Sequence, residues 1–193
     1  MTVSRARIIA SLLFALSGGW ILAHRGGRIT ASPGERWKDF TSAKYRFTVQ
    51  YPASWYGLGG VSDLLDITNF ARTGPEDTIG THVAGAEITV TGALAGVKDV
   101  NDWIRRDLPD SDEIAASESN IAIPHPAADG CTKLKEATWR EPLSPDASFA
   151  ETAYYCTAAA GLYKVSLLNW ENDPRQKELR ELALKIALSL RTH

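Results

Sequence analysis

The segment that most narrows the fold is the last one. Asp173-Pro174-Arg175-Gln176 places a capping carboxylate, a first-turn proline and a glutamine at capping-box spacing, so a helix is expected to start there. Leu179, Leu182, Ala183, Ile186 and Leu190 then recur at helical spacing and form one apolar stripe. A helix with one apolar stripe needs a surface to lie on, and the preceding sequence reads mainly as strands. In "AKYRFTVQYPASWYG", residues 43–57, Tyr45, Phe47, Val49 and Tyr51 alternate with Lys44, Arg46, Thr48 and Gln50, the period of a strand with one buried face. Pro52 has no amide hydrogen to donate and ends that ladder, and Trp55 in the following turn can fold back over the apolar face. Residues 64–71, 86–94, 117–123, 131–140, 148–158 and 162–170 also read as strands, the third of them stopped by Pro124 and Pro126. One helical stretch interrupts them at residues 100–108, where Val100, Trp103, Ile104 and Leu108 share a face and Asp99 can cap. This order predicts an α+β domain: a mostly antiparallel sheet with a short middle helix and a long C-terminal helix packed on it.

A chain of 193 residues has room for one such domain. Its N-terminal part has another character. Arg5 and Arg7 precede the apolar run "IIASLLFALSGGWILA", residues 8–23, with small Ala23 at its end, which is the layout of an export signal. Ile21 is larger than a cleavage site prefers, so an uncleaved anchor tethering the protein to the inner membrane is the alternative. Against that, the run falls short of the roughly 20 residues that span a bilayer comfortably. A cytosolic amphipathic segment is a third reading. Residues 24–36, "HRGGRITASPGER", lack apolar periodicity and are expected to be a flexible linker, placing the domain at 37–193. No cysteine precedes Cys131, so the leader cannot carry a lipid-modified cysteine. The expected location is periplasmic or extracellular.

Export bears on the cysteines. Cys131 and Cys156 lie on two strand-like runs joined by "EPLSPDAS", and their midpoint falls inside that turn, so the spacing predicts that they face each other. In an oxidising compartment a disulfide is the expected state. The same register sets Glu136 opposite Glu151, an unfavourable like-charge pair that a bulge would separate. Two acids without further oxygen ligands make a poor cage for a divalent ion.

No reaction is announced. His82, His125 and His193 are scattered without metal-ligand spacing, and Asp107, Asp110, Asp112 and Glu113 lack the central glycine of a calcium loop. Gly57-Leu58-Gly59-Gly60 is not followed by the Lys-Ser/Thr of a phosphate loop, and no serine sits in a GxSxG elbow. With a net charge of −2 the chain lacks the basic excess of a nucleic-acid binder, and no cofactor is expected.

The stretch "YRFTVQYPASW", together with the closing "ALKIALSLRTH", resembles the PsbP-like family, which shares the Mog1 fold, and the element order from about residue 37 to 192 follows that family's. The resemblance implies non-enzymatic roles: extrinsic photosystem subunits, Ran-binding factors, bacterial effector chaperones and exported actinobacterial lipoproteins. The resulting expectation is an exported, non-catalytic binding or accessory module for a protein or cell-envelope component. Its candidate contact residues lie in two glycine-rich loops: Tyr56, Leu58 and Val61 in the first, Arg72, Ile79 and His82 in the second. The alternative is a hydrolase-like enzyme whose site assembles from residues distant in sequence.

Overall fold

The computed structural model describes residues 35–57, 63–74, 77–108, 117–123, 125–144 and 147–193. Residues 1–23, expected as an export signal or anchor, most of the expected linker, Leu58, Val61, the acidic stretch with Asp110, Asp112 and Glu113, and Pro124 lie outside the described residues. At the domain boundary the Arg36 carbonyl accepts the Ala53 N–H at 2.8 Å, one residue before the first strand.

Two antiparallel sheets build the fold. In the smaller, β1 (Trp37–Ser42) and β2 (Phe47–Pro52) form a hairpin, and β10 (Arg191–Thr192) pairs with the other edge of β2. The larger has seven strands in the order β3 (Tyr56–Gly57), β4 (Leu65–Thr68), β5 (Ala86–Gly92), β9 (Gly161–Trp170), β8 (Ala147–Ala158), β7 (Cys131–Ser144) and β6 (Ser117–Ile121). Helix α1 (Val100–Asp107) connects β5 to β6, and α2 (Gln176–Ser189) connects β9 to β10. The α+β architecture with a short middle helix and a long closing helix is the one the sequence predicts.

The sequence starts the first strand too early. Residues 43–46 form the turn of the β1–β2 hairpin, with Arg46 at φ 55°, and only from Phe47 does the alternation become a ladder. Tyr45 still packs inward. Its ring lies where a side chain at residue 92 would be, a Cβ there meeting Tyr45 Cδ1 at 2.5 Å, so this crossing requires Gly92. Pro52 ends β2 as expected, and Trp55 is buried.

The stripe of α2 is the floor of the main core. Leu179, Leu182, Ala183, Ile186 and Leu190 are all buried, against Phe47 and Val49 of the small sheet and Ile88, Val165 and Leu167 of the large one. The other face of the large sheet carries a smaller cluster, in which Trp103 and Ile104 of α1 pack on Ala137, Trp139, Ala153 and Tyr155. Asp99 caps α1, accepting the Asp102 N–H at 2.8 Å. At α2 the predicted capping box does not form: the helix begins at Gln176 with Arg175 as its N-cap and no side-chain cap bond. The Asp173 carboxylate accepts the Arg175 N–H at 2.8 Å, but the Asp173 N–H goes to the Trp170 carbonyl, so Gln176 does not return a bond to it.

Candidate functional site

The loop between β4 and β5 is tied down at both ends. Asn69 donates from Nδ2 to the Ala84 carbonyl and accepts the Ala86 N–H at Oδ1, closing the loop like an additional rung of the ladder. Within it, the Asp77 carboxylate accepts both the N–H and the hydroxyl of Thr73, at 2.6 and 2.5 Å. A 3-10 turn at Ile79–Thr81 buries Ile79, and Gly85 passes so close that a Cβ there would meet the Ile79 carbonyl at 2.9 Å. The His82 ring stacks on Phe70 with centroids 3.8 Å apart, while its carbonyl accepts from the Trp170 indole at 2.7 Å.

Arg72, Ile79 and His82, proposed from sequence as loop residues, are thereby gathered in one folded loop. Arg72 and Ile79 line an open cavity of about 530 Å³ with Thr73, Asp77, Thr78 and Glu87. The Arg72 guanidinium pairs with Glu87 at 2.5 Å and lies 3.8 Å from Asp66. Burial raises the carboxyl of Asp66, against the attraction of Arg72, and burial together with the Asp66 charge raises that of Glu87. Two carboxylates thus share one guanidinium at the cavity. His82 does not face this trio; its Nε2 is 3.7 Å from Asp77, too far for a hydrogen bond.

Tyr56 joins the same face. It stands opposite Thr68 on β4, which stands opposite Glu87 on β5, and directly opposed residues share a face of a sheet. The tyrosine is 52% exposed, two strands from Glu87 along that row. Leu58 and Val61 lie outside the described residues.

Continuing along the row, Glu87 is opposite Leu168, and Leu168 is opposite Glu151. Here lies a polar cluster that the sequence does not reveal. Glu151 accepts a 2.6 Å bond from the Ser166 hydroxyl; next to it Lys164 and the Tyr155 hydroxyl both donate to Asp107 at the end of α1, at 2.7 and 2.9 Å. On β8, Glu151 and Tyr155 alternate in one phase with Phe149 and Ala153, and on β9, Lys164 and Ser166 share theirs with Leu162 and Leu168, so the alternation does not mark these residues as a set. Only the packing of α1 on β8 turns that face inward. Burial pushes the Glu151 carboxyl up to about 7, opposed by the Ser166 bond and Lys164 and reinforced by Glu141. Ser166 and Glu151 are a hydroxyl and a carboxylate in contact, yet Ser166 is only 8% exposed and neither residue lines the cavity at the loop.

A folded-state carboxyl raised from its ordinary 4.5 to about 7 keeps its proton where the unfolded chain has lost it, so its effect on stability declines as pH rises from 4.5 and is fully adverse above 7. Urea unfolding of the wild type is expected to weaken across that window by up to about 3 kcal/mol from this group alone. Glu151→Gln should flatten the slope; an identical pH profile in the variant would show that Glu151 is not the titrating group.

The cysteines need a correction of register. Cys131 is opposite Ala158 and Leu134 is opposite Cys156, with an irregularity between Cys131 and Lys133, so the two cysteines do not face each other directly. They are diagonal neighbours on one face, with Cα atoms 5.4 Å apart and sulfurs at the bonding distance of 2.04 Å. The strands also run further than expected, to Ser144 and from Ala147, drawing Pro142 into the ladder opposite Ser148. The expected Glu136–Glu151 pair is consequently not formed. Glu136 is opposite Tyr154 and Glu151 opposite Trp139, an offset of three residues, and an odd offset puts the two acids on opposite faces. Glu136 instead pairs with Arg180 of α2 at 2.6 Å. Among the described residues no group of three or more metal-ligating side chains converges.

No protein family's sequence profile matches the chain, and no curated protein matches it. Solved structures do. The Ran-binding protein Mog1p of Saccharomyces cerevisiae matches with a TM-score of 0.51 at 10% identity, over 82% of this chain and 96% of that one. Cyanobacterial PsbP (CyanoP) of Synechocystis sp. PCC 6803 matches at 12% identity with a TM-score of 0.47, over 89% of this chain and 99% of that one. The likeness at these identities is one of architecture, and it agrees with the element order derived from the sequence: the chain has the Mog1/PsbP-like fold.

Proposed function

We propose that the protein is an exported, non-catalytic accessory module that binds a protein or envelope component through the cavity of the β4–β5 loop, with Tyr56 as a flanking contact. The observation that carries this reading is the cavity itself: an open, charged recess on a loop braced by Asn69, with its guanidinium held by two carboxylates. Such a braced loop presents fixed charges to a partner at little entropic cost, which is what a recognition surface requires. The name of Mog1p supplies an analogy, since that protein of like architecture is described as Ran-binding. Export rests on residues 1–23 and on the cysteine pair, which suits an oxidising compartment.

Thr78 offers a clean test because it is exposed on the cavity rim. Thr78→Trp fills the recess without touching the core. The variant is expected to keep the wild-type melting temperature and to lose at least tenfold in capture of the envelope partner. Undiminished capture by Thr78→Trp would place the binding surface elsewhere.

A further inference from the structure

The seven-stranded sheet ends in a strand that nothing described covers. Ser117, Glu118, Ser119 and Asn120 of β6 are exposed, and the strand's outer edge carries no proline or lysine, the residues by which edge strands commonly discourage pairing. Alternate backbone N–H and C=O groups along β6 point away from β7, as in any edge strand.

The two sides of this edge differ. Glu118 and Asn120 stand opposite Ala137 and Lys135, on the face that carries α1; Ser119 and Ile121 stand opposite Glu136 and Leu134, on the face that carries α2. On the α1 side a cavity of about 420 Å³ opens between the helix and β6–β7; it includes Lys98, Lys133 and Lys135 with Asn101 and Asn120, and one carboxylate, Asp99, which is engaged in capping α1. Lys135 is engaged by Glu118 and by Asn101 at 3.0 Å. Lys98 and Lys133 are exposed, and their ammonium groups have no ion-pair partner among the described residues. On the α2 side a recess of about 330 Å³ is lined by Ile121 and Leu184 together with Glu136, Lys177, Arg180 and Glu181.

The geometry points to strand addition on β6 by an extended acidic segment of a partner protein. Backbone pairing with the open edge supplies the affinity, and alternate side chains supply the selectivity. A strand added at the usual spacing of about 4.8 Å sends every second side chain to the lysine-lined cavity, where Lys98 and Lys133 favour carboxylates. The intervening side chains lie on the α2 side, where Ile121 and Leu184 stand beside charges of both signs, so that side imposes no charge preference of its own. This surface is separate from the β4–β5 loop, which joins the second and third strands counted from the opposite end of the sheet.

The test is amide hydrogen exchange of the full chain with two probes, acetylated and amidated heptapeptides that alternate valine with either aspartate or lysine. The aspartate peptide is expected to slow exchange of the outward-facing amides of residues 117–121 at least tenfold, and the lysine peptide to leave them unchanged. In the Lys98→Glu, Lys133→Glu double variant the preference should reverse, an outcome that misfolding cannot imitate. Unchanged exchange with the aspartate peptide, or equal protection by both peptides, overturns the proposal. Protection that appears without peptide and grows with protein concentration also overturns it, since a second copy would then hold the edge.

Discussion

Ile186→Asp is expected to remove most of the stability of the domain. Ile186 is fully buried in the apolar cluster where the stripe of α2 meets the sheet. A carboxylate there either stays charged without a partner or takes up a proton at a cost, and both routes add to the lost apolar contacts. The expected loss is about 4 kcal/mol or more, a large share of the roughly 5 to 15 kcal/mol by which domains are stable. Ile186→Val removes one methylene group from the same place and should cost only about 1 kcal/mol. Chemical unfolding of the two variants beside the wild type checks both values. A small effect of Ile186→Asp would mean that α2 does not lie on the sheet by this face.

That result would test the part of the fold that is most legible in the sequence. The stripe of α2, the Asp99 cap of α1 and the strand alternation are local periodicities, set by residues within one or two turns or rungs of each other. The register of β7 against β8 is not local. A symmetric turn suggested that Cys131 faces Cys156, but the ladder extends to Ser144 and Ala147 and an irregularity follows Cys131, so the acids assigned to one pair separate to opposite faces. Of the small sheet, only β2 is legible in the sequence; its partners are not, since Trp37–Ser42 has weak alternation and Arg191–Thr192 is too short to show any.

The candidate site divides in the same way. Arg72, Ile79 and His82 were found because a long glycine- and proline-containing loop is visible as such in the sequence. Their carboxylate partners Asp66 and Glu87 were not, since they look like ordinary polar residues on flanking strands. The Glu151, Ser166, Lys164 and Asp107 cluster was invisible, because it requires α1 to be folded over strands that lie some fifty residues away in sequence.

Replacing both cysteines is expected to cost about 3 kcal/mol. The cross-link spans a separation of 25 residues, and the chain-entropy relation for a loop of that length gives a value between roughly 3 and 4 kcal/mol. Both cysteines are buried, at 5% and 1% exposure, so alanine rather than serine is the replacement that avoids an unpaired hydroxyl. The protein isolated from its native compartment should be lighter by two hydrogens than the reduced chain and should offer no thiol to maleimide after denaturation. The Cys131→Ala, Cys156→Ala variant should unfold at lower urea yet keep its partner, because the cross-link staples β7 to β8 far from the β4–β5 loop. Two reactive thiols in the native protein would contradict both the bond and the proposed export. Loss of binding at unchanged stability would point to thiol chemistry instead.

The central claim is that a braced, charged loop cavity binds a partner outside the cytoplasm, and photocrosslinking in living cells reaches it most directly. The full chain would carry a photoreactive phenylalanine derivative in place of Tyr56, the exposed aromatic proposed as a flanking contact, or, as control, at Lys38 on the exposed edge of β1. The predicted result is one dominant adduct with an envelope protein from position 56, little from position 38, and its disappearance when an unlabelled competitor chain is in excess. Equal labelling from both positions, or an adduct with a cytosolic protein, would contradict it.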